Sequence, residues 1–91
     1  MRIDKFLKIS RIIKRRTVAK DVCEAGRVTL NGRPAKAGSE VKVSDILRLS
    51  YGNRQIEFEI LLLADNIRAD QASTMYRILS ETKGPSLIDE L

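Results

Sequence analysis

The sequence predicts an α+β fold in which a two-helix N-terminal unit packs on a small, mostly antiparallel sheet, followed by a C-terminal helix. Three observations lead to this prediction. Apolar residues recur every three or four positions through the first quarter of the chain, as they do on one face of a helix. From Val28 onward apolar and polar residues alternate, which is the spacing of a strand. Helical spacing then returns after Asp70.

The first helix is predicted over residues 4–10, where Phe6 and Ile9 recur at helical spacing. Asp4 is predicted to be its N-cap residue, because an aspartate carboxylate accepts hydrogen bonds from the backbone N–H groups of a first turn. Whether the helix continues through residues 12–14 stays open.

The second helix is predicted over residues 18–25, with Thr17 as its N-cap residue. Its apolar face is formed by four residues at helical spacing: Val18, Ala19, Val22 and Cys23. Gly26 stands where helices commonly end on a glycine with positive φ, so the helix is expected to stop there.

A β-hairpin is predicted around Asn31 and Gly32. Val28 and Leu30 alternate with polar residues before this pair, and Asn-Gly favours a type I′ turn because both central residues of that turn need a positive φ. Pro34 has no backbone N–H, so the returning strand is expected to be short and to lie at a sheet edge.

The rest of the sheet is predicted from alternation and turn residues. Val41 and Val43 indicate a short strand, and residues 46–51 indicate a longer one after a turn at Ser44-Asp45. A further turn at Gly52-Asn53 leads to a strand with one buried face, formed by Ile56, Phe58 and Ile60. The C-terminal helix then begins at Asp70 and ends at Gly84-Pro85, and its apolar face is formed by Ala72, Met75, Tyr76 and Leu79.

The composition argues against an enzyme or a metal site. The chain has no histidine, which is the commonest general base and metal ligand, and a single cysteine, Cys23, so no internal disulfide or zinc cluster is expected. We expect no cofactor, and we expect Cys23 to be a small buried hydrophobic residue. The longest apolar run, Ile60 to Ala64, is far shorter than the roughly 20 residues that span a bilayer, and the N-terminus lacks a signal-peptide stretch. These features predict a cytosolic monomer with no membrane partner.

Positive charge is concentrated in the first third of the chain. Residues 1–36 contain 11 Lys and Arg against 3 Asp and Glu, a net charge of +8, whereas residues 37–91 carry a net charge of −3. A basic segment beside a mildly acidic one predicts a single face that meets a polyanion.

Four sequence blocks follow one another in order: Arg2–Leu7, then Arg15-Arg16-Thr17-x-Ala19, then Ala25–Gly32, then Val41-x-x-x-Asp45-x-Leu47. Together they resemble the RNA-binding domain named after ribosomal protein S-four of the small subunit, which occurs in pseudouridine synthases, tyrosyl-tRNA synthetase and small stand-alone proteins. The resemblance implies an RNA-binding domain over residues 1–62 and a C-terminal helical extension over residues 63–91, within one compact domain.

The size of the chain and its C-terminal segment Ala72-x-x-Met75-Tyr76 resemble two groups of stand-alone relatives: the heat-shock-protein-fifteen group and the RqcP group of ribosome-associated quality control. The resemblance to the RqcP group covers nearly the whole chain and fades after about Glu81. Residues 5–17 are more similar to the RqcP group. That resemblance implies binding to an obstructed large ribosomal subunit that carries peptidyl-tRNA, with contact to 23S ribosomal RNA. It also implies that the P-site tRNA is stabilised while a partner protein recruits alanyl-tRNA for alanine tailing of the stalled chain.

The RNA site is expected on the outer face of the two helices, because arginine and lysine there can reach the phosphates and 2′-hydroxyls of structured RNA. The resemblance places Arg2, Asp4 and Arg16 at RNA-contact positions. Three roles are open for Asp4: capping alone, orienting Arg2, or contact with a 2′-hydroxyl. Charge and spacing add Lys5, Lys8, Arg11, Lys14, Arg15 and Lys20 and, around the hairpin, Arg27, Arg33 and Lys36.

Two other functions remain open from the sequence. One is a recycling factor for large subunits with stranded peptidyl-tRNA, as in the heat-shock group. The other is an accessory module that docks on a protein through its acidic second half. An RNA-modifying enzyme is not expected, because relatives that modify RNA carry that chemistry in a separate, larger domain.

Overall fold

The computed structural model describes residues 1–51 and 54–82 and has the predicted α+β architecture. Two α-helices come first, α1 (Ile3–Ile9) and α2 (Arg16–Glu24). Five strands follow: β1 (Val28–Leu30), β2 (Arg33–Pro34), β3 (Ile46–Tyr51), β4 (Arg54–Ile60) and β5 (Tyr76–Glu81). A 3-10 helix (Ala69–Met75) lies between β4 and β5. Together they form one antiparallel sheet in the order β2-β1-β3-β4-β5.

Both predicted helices are confirmed, but both predicted N-cap residues are wrong. Arg2 is the N-cap residue of α1, and Asp4 lies inside the first turn with its carboxylate buried. Arg15 is the N-cap residue of α2, which places Thr17 inside that helix. The physical reason is the same in both cases, because Arg2 and Arg15 are the last residues with an extended backbone, two positions before the predicted N-cap residues.

The chain does not continue as a helix after α1. Arg11 has a φ of +62°, a left-handed conformation that ends the helix. The Ile13 N–H donates a hydrogen bond of 3.1 Å to the Leu7 carbonyl, so the chain folds back beneath the helix. As a result Ile12 and Ile13 are completely buried although neither is helical.

The predicted end of α2 at Gly26 is confirmed. Gly26 has a φ of +76°, and its N–H donates to the Cys23 carbonyl at 3.1 Å. The next N–H, of Arg27, donates to the Val22 carbonyl at 3.2 Å. This pair of bonds satisfies carbonyls that would otherwise lack partners at a helix C-terminus.

The hairpin at Asn31 and Gly32 is also confirmed. Both residues have positive φ, +51° and +83°, and Leu30 pairs with Arg33 across the turn. The returning strand β2 is two residues long and lies at the edge of the sheet, as expected of a strand that contains Pro34.

The strand predicted at Val41 and Val43 is wrong. Glu40 forms a single bridge with Arg2, and the Val41 N–H donates to the Met1 carbonyl at 2.9 Å. The segment thus pairs with the N-terminus instead of joining the sheet, and Val43 is exposed. The predicted turn at Ser44-Asp45 and the two strands around it in sequence, β3 and β4, are confirmed, whereas the turn at Gly52-Asn53 lies outside the described residues.

The core lies between the helices and one face of the sheet. Phe6 of α1 stacks on Phe58 of β4 with ring centroids 6.3 Å apart, and Tyr76 of β5 meets Phe58 edge-on at 5.8 Å. Ile56 and Ile60 flank Phe58 on the same face and are buried with it, as the alternation predicted. Burial of each such side chain contributes roughly 1.5–3 kcal/mol.

The C-terminal helix is present, but it is a 3-10 helix that is shorter than predicted. Ala72 and Met75 are buried as expected, yet the chain from Tyr76 to Glu81 is strand β5 rather than helix. Pairing with the free edge of β4 competes with helix formation here, and Ile78 is placed opposite Phe58. The predicted end at Gly84-Pro85 lies outside the described residues. Within residues 1–51 and 54–82, no helix is long and apolar enough to cross a membrane.

Candidate nucleic-acid interface

A buried carboxylate organises the basic N-terminal surface. The side chain of Asp4 is only 4% exposed, and its Oδ1 accepts a hydrogen bond of 2.8 Å from the backbone N–H of Lys5. A charge in this position is costly unless it is paired and hydrogen-bonded. Two arginines provide the pairing, Arg2 from the residue before α1 and Arg16 from the start of α2.

Arg2 meets Asp4 with one edge of its guanidinium group. Its Nε lies 3.3 Å from Oδ1 and its Nη2 lies 3.5 Å from Oδ2 of Asp4. Backbone pairing fixes the segment that carries Arg2, since the Ile3 N–H donates to the Ser39 carbonyl at 2.9 Å. The Nη1 edge of Arg2 has no hydrogen-bond partner among the described residues, and the side chain is 50% exposed.

Arg16 approaches the same carboxylate from the second helix. Its Nε lies 3.4 Å from Oδ2 of Asp4, and half of its side chain is exposed. Within the described part of the chain, its two terminal nitrogens make no hydrogen bond or ion pair. Asp4 therefore orients two cations from two different segments while remaining hidden from solvent itself.

The chemistry of this cluster suits a phosphate ligand. Two guanidinium groups and one carboxylate leave a net charge of +1, and the exposed groups are the cations. Planar N–H donors match the oxygens of a phosphodiester, and a guanidinium that is already held in place loses less side-chain entropy when it binds. An exposed carboxylate would repel the same ligand. Asp4 orients the two arginines through its charge, and its burial keeps that charge away from the phosphate.

The other candidate residues do not all join this cluster. Lys14 and Arg15 are exposed at the junction just before Arg16 and make no ion pair with any described residue. Lys20 is exposed on α2, whereas Arg27 and Arg33 are exposed on the sheet side. The described bonds of the Asp4 side chain are to Lys5, Arg2 and Arg16, so Lys20 and Arg33 lie outside this cluster.

The basic face of α1 is turned toward the segment that follows β4. Lys5 forms an ion pair of 2.8 Å with Asp65, which lowers the pKa of that carboxyl through the hydrogen bond and the positive charge. Lys8 and Arg11 line a shallow polar cavity together with Asp65 and Asn66. No local pattern predicts the pairing of Lys5 with a residue sixty positions away.

Cys23 is buried, as predicted from the sequence. Burial, together with the nearby carboxylates of Asp4 and Glu24, raises the pKa of its thiol to about 11. The described residues contain no cluster of Cys, Asp and Glu that could hold a metal ion.

The family resemblance points to Arg2, Asp4 and Arg16 but does not predict the contacts among them. Of the three roles that are open for Asp4 from the sequence, the geometry favours the orienting one, because the carboxylate contacts two guanidinium groups. The two-residue spacing of Arg2 and Asp4 is a local signal for their ion pair, whereas the twelve residues between Asp4 and Arg16 carry no such signal.

Comparison with known proteins shows that the Asp4 cluster lies within a known domain. A family model described as the S4 domain matches residues 1–47, which include the whole Asp4 cluster. The chain belongs to the S4 domain family. This confirms the resemblance seen in the four sequence blocks, and the S4 domain is the part of the chain that carries most of its positive charge.

Similar proteins share almost the full length of this S4 domain chain. A protein of Halalkalibacterium halodurans named RQC P-site tRNA stabilizing factor is 51% identical over 89% of this chain and 92% of its own. A protein of Bacillus subtilis with the same name is 47% identical over 91% of this chain and 96% of its own. The structure of Vibrio cholerae Heat Shock Protein 15, described as trimeric, superposes with a TM-score of 0.80 at 31% identity, covering 88% of this chain and 82% of that one.

Proposed function

We propose that this chain is a non-enzymatic RNA-binding factor of ribosome-associated quality control in the cytosol. It binds obstructed large ribosomal subunits that carry peptidyl-tRNA, contacts 23S ribosomal RNA and stabilises the P-site tRNA. In doing so it supports a partner protein that adds alanine tails to stalled nascent chains. The S4 domain and the names of the relatives from Halalkalibacterium halodurans and Bacillus subtilis support this proposal.

The observation that carries the proposal is the pair of half-exposed arginines held by one buried carboxylate. Arg2 and Arg16 are the proposed RNA contacts, and Asp4 orients them. The exposed cations Lys14 and Arg15 directly precede Arg16 in the chain and are proposed as further RNA contacts. More peripheral contacts are proposed for Lys5, Lys8, Arg11, Lys20, Arg27 and Arg33.

The target that fits this surface is folded RNA rather than an unpaired strand. Proteins that bind single strands stack bases on exposed aromatic rings. Among the aromatic side chains that the structure describes, Phe6 and Phe58 are fully buried, and Tyr76 packs edge-on against Phe58. Contacts to phosphates and 2′-hydroxyls therefore account for binding better than base stacking does.

The test is the affinity of purified large ribosomal subunits for Arg2→Ala and Arg16→Ala variants. Each variant is expected to lose about 1–3 kcal/mol of binding free energy, the range for hydrogen bonds to charged groups, without losing its fold. Arg48→Ala is the matched control, because Arg48 has similar exposure (52%) and a similar ion pair, with Glu57, but lies on the opposite face of the sheet. Wild-type affinity in both Arg2 and Arg16 variants would refute this site.

A second candidate function is favoured by the similarity to Heat Shock Protein 15, namely recycling of large subunits with stranded peptidyl-tRNA. The two functions predict different phenotypes in a strain that lacks the protein. Alanine tails on stalled chains disappear if the protein supports tailing, and they persist unchanged if it only recycles subunits.

A further inference from the structure

The tight turn at residues 36–39 lies directly beside the Asp4 cluster. The Lys36 N–H donates to the Ser39 hydroxyl and the Ser39 N–H donates to the Lys36 carbonyl, each at 3.0 Å. The turn is fixed to the start of α1, because the Asp4 N–H donates to the Ala37 carbonyl at 3.2 Å and Ala37 is buried. A turn held in this way keeps one position relative to Arg2.

Gly38 in this turn packs against the guanidinium group of Arg2. A Cβ atom at Gly38 would lie 3.7 Å from Nη2, 3.8 Å from Cζ and 3.8 Å from Nε of Arg2. Three nearly equal distances place that position over the face of the guanidinium plane rather than at its edge. The backbone of Gly38 is not in the left-handed region, so its conformation does not require glycine.

One edge and one face of the Arg2 guanidinium are therefore occupied. Asp4 takes the edge formed by Nε and Nη2, and Gly38 covers one face. The Nη1 edge is left with N–H groups that can donate to a phosphate. A side chain at position 38 longer than a methyl group would push into the guanidinium and turn that edge away.

Lys36 adds a positive charge to the same turn. Its side chain is exposed and makes no ion pair with any residue in the described ranges. The nearest acidic residue along the chain, Glu40, is bound to the N-terminal ammonium group at 2.8 Å. That ion pair lowers the pKa of Glu40 and neutralises its charge beside the turn.

We propose that the turn at residues 36–39 is a second segment of the RNA interface, beside the two helices. In this turn Gly38 packs on the guanidinium of Arg2, and Lys36 contacts a further phosphate of the same RNA. This inference rests on the proposed function, because the ligand is the ribosomal RNA assigned to Arg2 and Arg16. It extends the interface from the two helices to a segment whose residues lie more than thirty positions from Arg2.

The Gly38 contact is tested with a double-mutant cycle on purified large ribosomal subunits that carry peptidyl-tRNA. Gly38→Ala is expected to bind within twofold of wild type, since a methyl group there makes ordinary van der Waals contact. Gly38→Val is expected to weaken binding about tenfold, and to have no further effect in a chain that already carries Arg2→Ala. An equal loss from Gly38→Val with and without Arg2 would overturn the proposal, and unchanged urea unfolding midpoints would exclude a general loss of fold.

The Lys36 contact is tested by the salt dependence of the same binding reaction. Each phosphate contact contributes close to one unit to the slope of log affinity against log salt concentration. Lys36→Ala is expected to reduce that slope by nearly one, whereas the Arg48→Ala control leaves it unchanged. A Lys36→Ala slope equal to the control would overturn the proposal while leaving the function intact, provided that Arg2→Ala still weakens binding. If neither wild-type binding nor an Arg2 effect is found, the proposed function fails as well.

Discussion

Arg16 Nε lies 3.4 Å from Oδ2 of Asp4, so the first residue of α2 is tied to a buried carboxylate in the first turn of α1. The same carboxylate holds Arg2 at 3.3 Å. One acidic side chain thus sets the relative position of two basic ones that come from the N-terminal ends of the two helices. This explains how a strongly basic surface can include an aspartate without repelling its ligand.

Asp4→Asn is expected to weaken binding to large ribosomal subunits, although it removes a negative charge from a polyanion-binding protein. Asparagine keeps the shape of the side chain but loses the charge that orients Arg2 and Arg16, and the two guanidinium groups then repel each other. The expected loss is about 1–2 kcal/mol, measured as the dissociation constant at fixed salt.

The matched control for this prediction is Asp21→Asn. Asp21 is exposed on α2, and its carboxylate makes no ion pair with any residue in the described part of the chain. Removing its charge is expected to leave affinity unchanged or slightly higher, as simple attraction to RNA predicts. If both variants bound more tightly than wild type, Asp4 would not have an orienting role.

The local features of the fold could be predicted from the sequence because neighbouring residues determine them. Gly26 ends α2, and Asn31 with Gly32 forms the hairpin, since in each case the backbone needs a positive φ that these residue types adopt readily. The alternation of Ile56 and Phe58 with charged residues likewise fixed one buried face of β4.

Long-range contacts could not be predicted in this way. Helical spacing through Tyr76 favoured a helix, but the free edge of β4 pairs with residues 76–81, and that pairing decides the conformation. The bonds that Asp4 makes to Arg16 cross from one helix to the next, and no local pattern specifies them. The family resemblance points to these three residues together, while the ion pairs that join them are visible only in the structure.

The hairpin should depend on the side chain of Asn31 as well as on its backbone. Its Oδ1 accepts the Ile46 N–H at 2.8 Å, and its Nδ2 donates to Oδ1 of Asp45 at 3.1 Å. Asn31→Ala loses both bonds and places alanine in a left-handed conformation, so the free energy of unfolding is expected to fall by about 1.5–3 kcal/mol. Asn31→Gly loses the bonds but tolerates the conformation, and is expected to retain about 1 kcal/mol more stability than Asn31→Ala.

Urea unfolding followed by circular dichroism measures both Asn31 variants under the same conditions. Equal losses of unfolding free energy in the two variants would show that the left-handed backbone at position 31 does not penalise alanine. No loss in either variant would show that the side-chain bonds of Asn31 to Ile46 and Asp45 do not stabilise the hairpin.

We expect Cys23 to be unreactive in the folded protein, and we expect its ionisation to lower the free energy of unfolding at alkaline pH. Its pKa is about 11 in the fold against an ordinary value of 9.0, so the unfolded thiol ionises first as the pH rises. Unfolding then releases a proton, and the free energy of unfolding falls between about pH 9 and pH 11, whereas below pH 9 this contribution is fully present. At about 1.4 kcal/mol per pKa unit, the loss is roughly 2–3 kcal/mol.

Two measurements check this prediction. A thiol reagent at pH 8 is expected to modify Cys23 slowly in buffer and rapidly in urea, because the folded site is both closed to solvent and protonated. The Cys23→Ala variant, compared with wild type by urea unfolding from pH 8 to pH 11, is expected to show a smaller alkaline decline, whatever its stability at pH 8. Parallel declines in the two proteins would mean that other groups, such as the Tyr76 phenol with its raised pKa, account for the pH dependence.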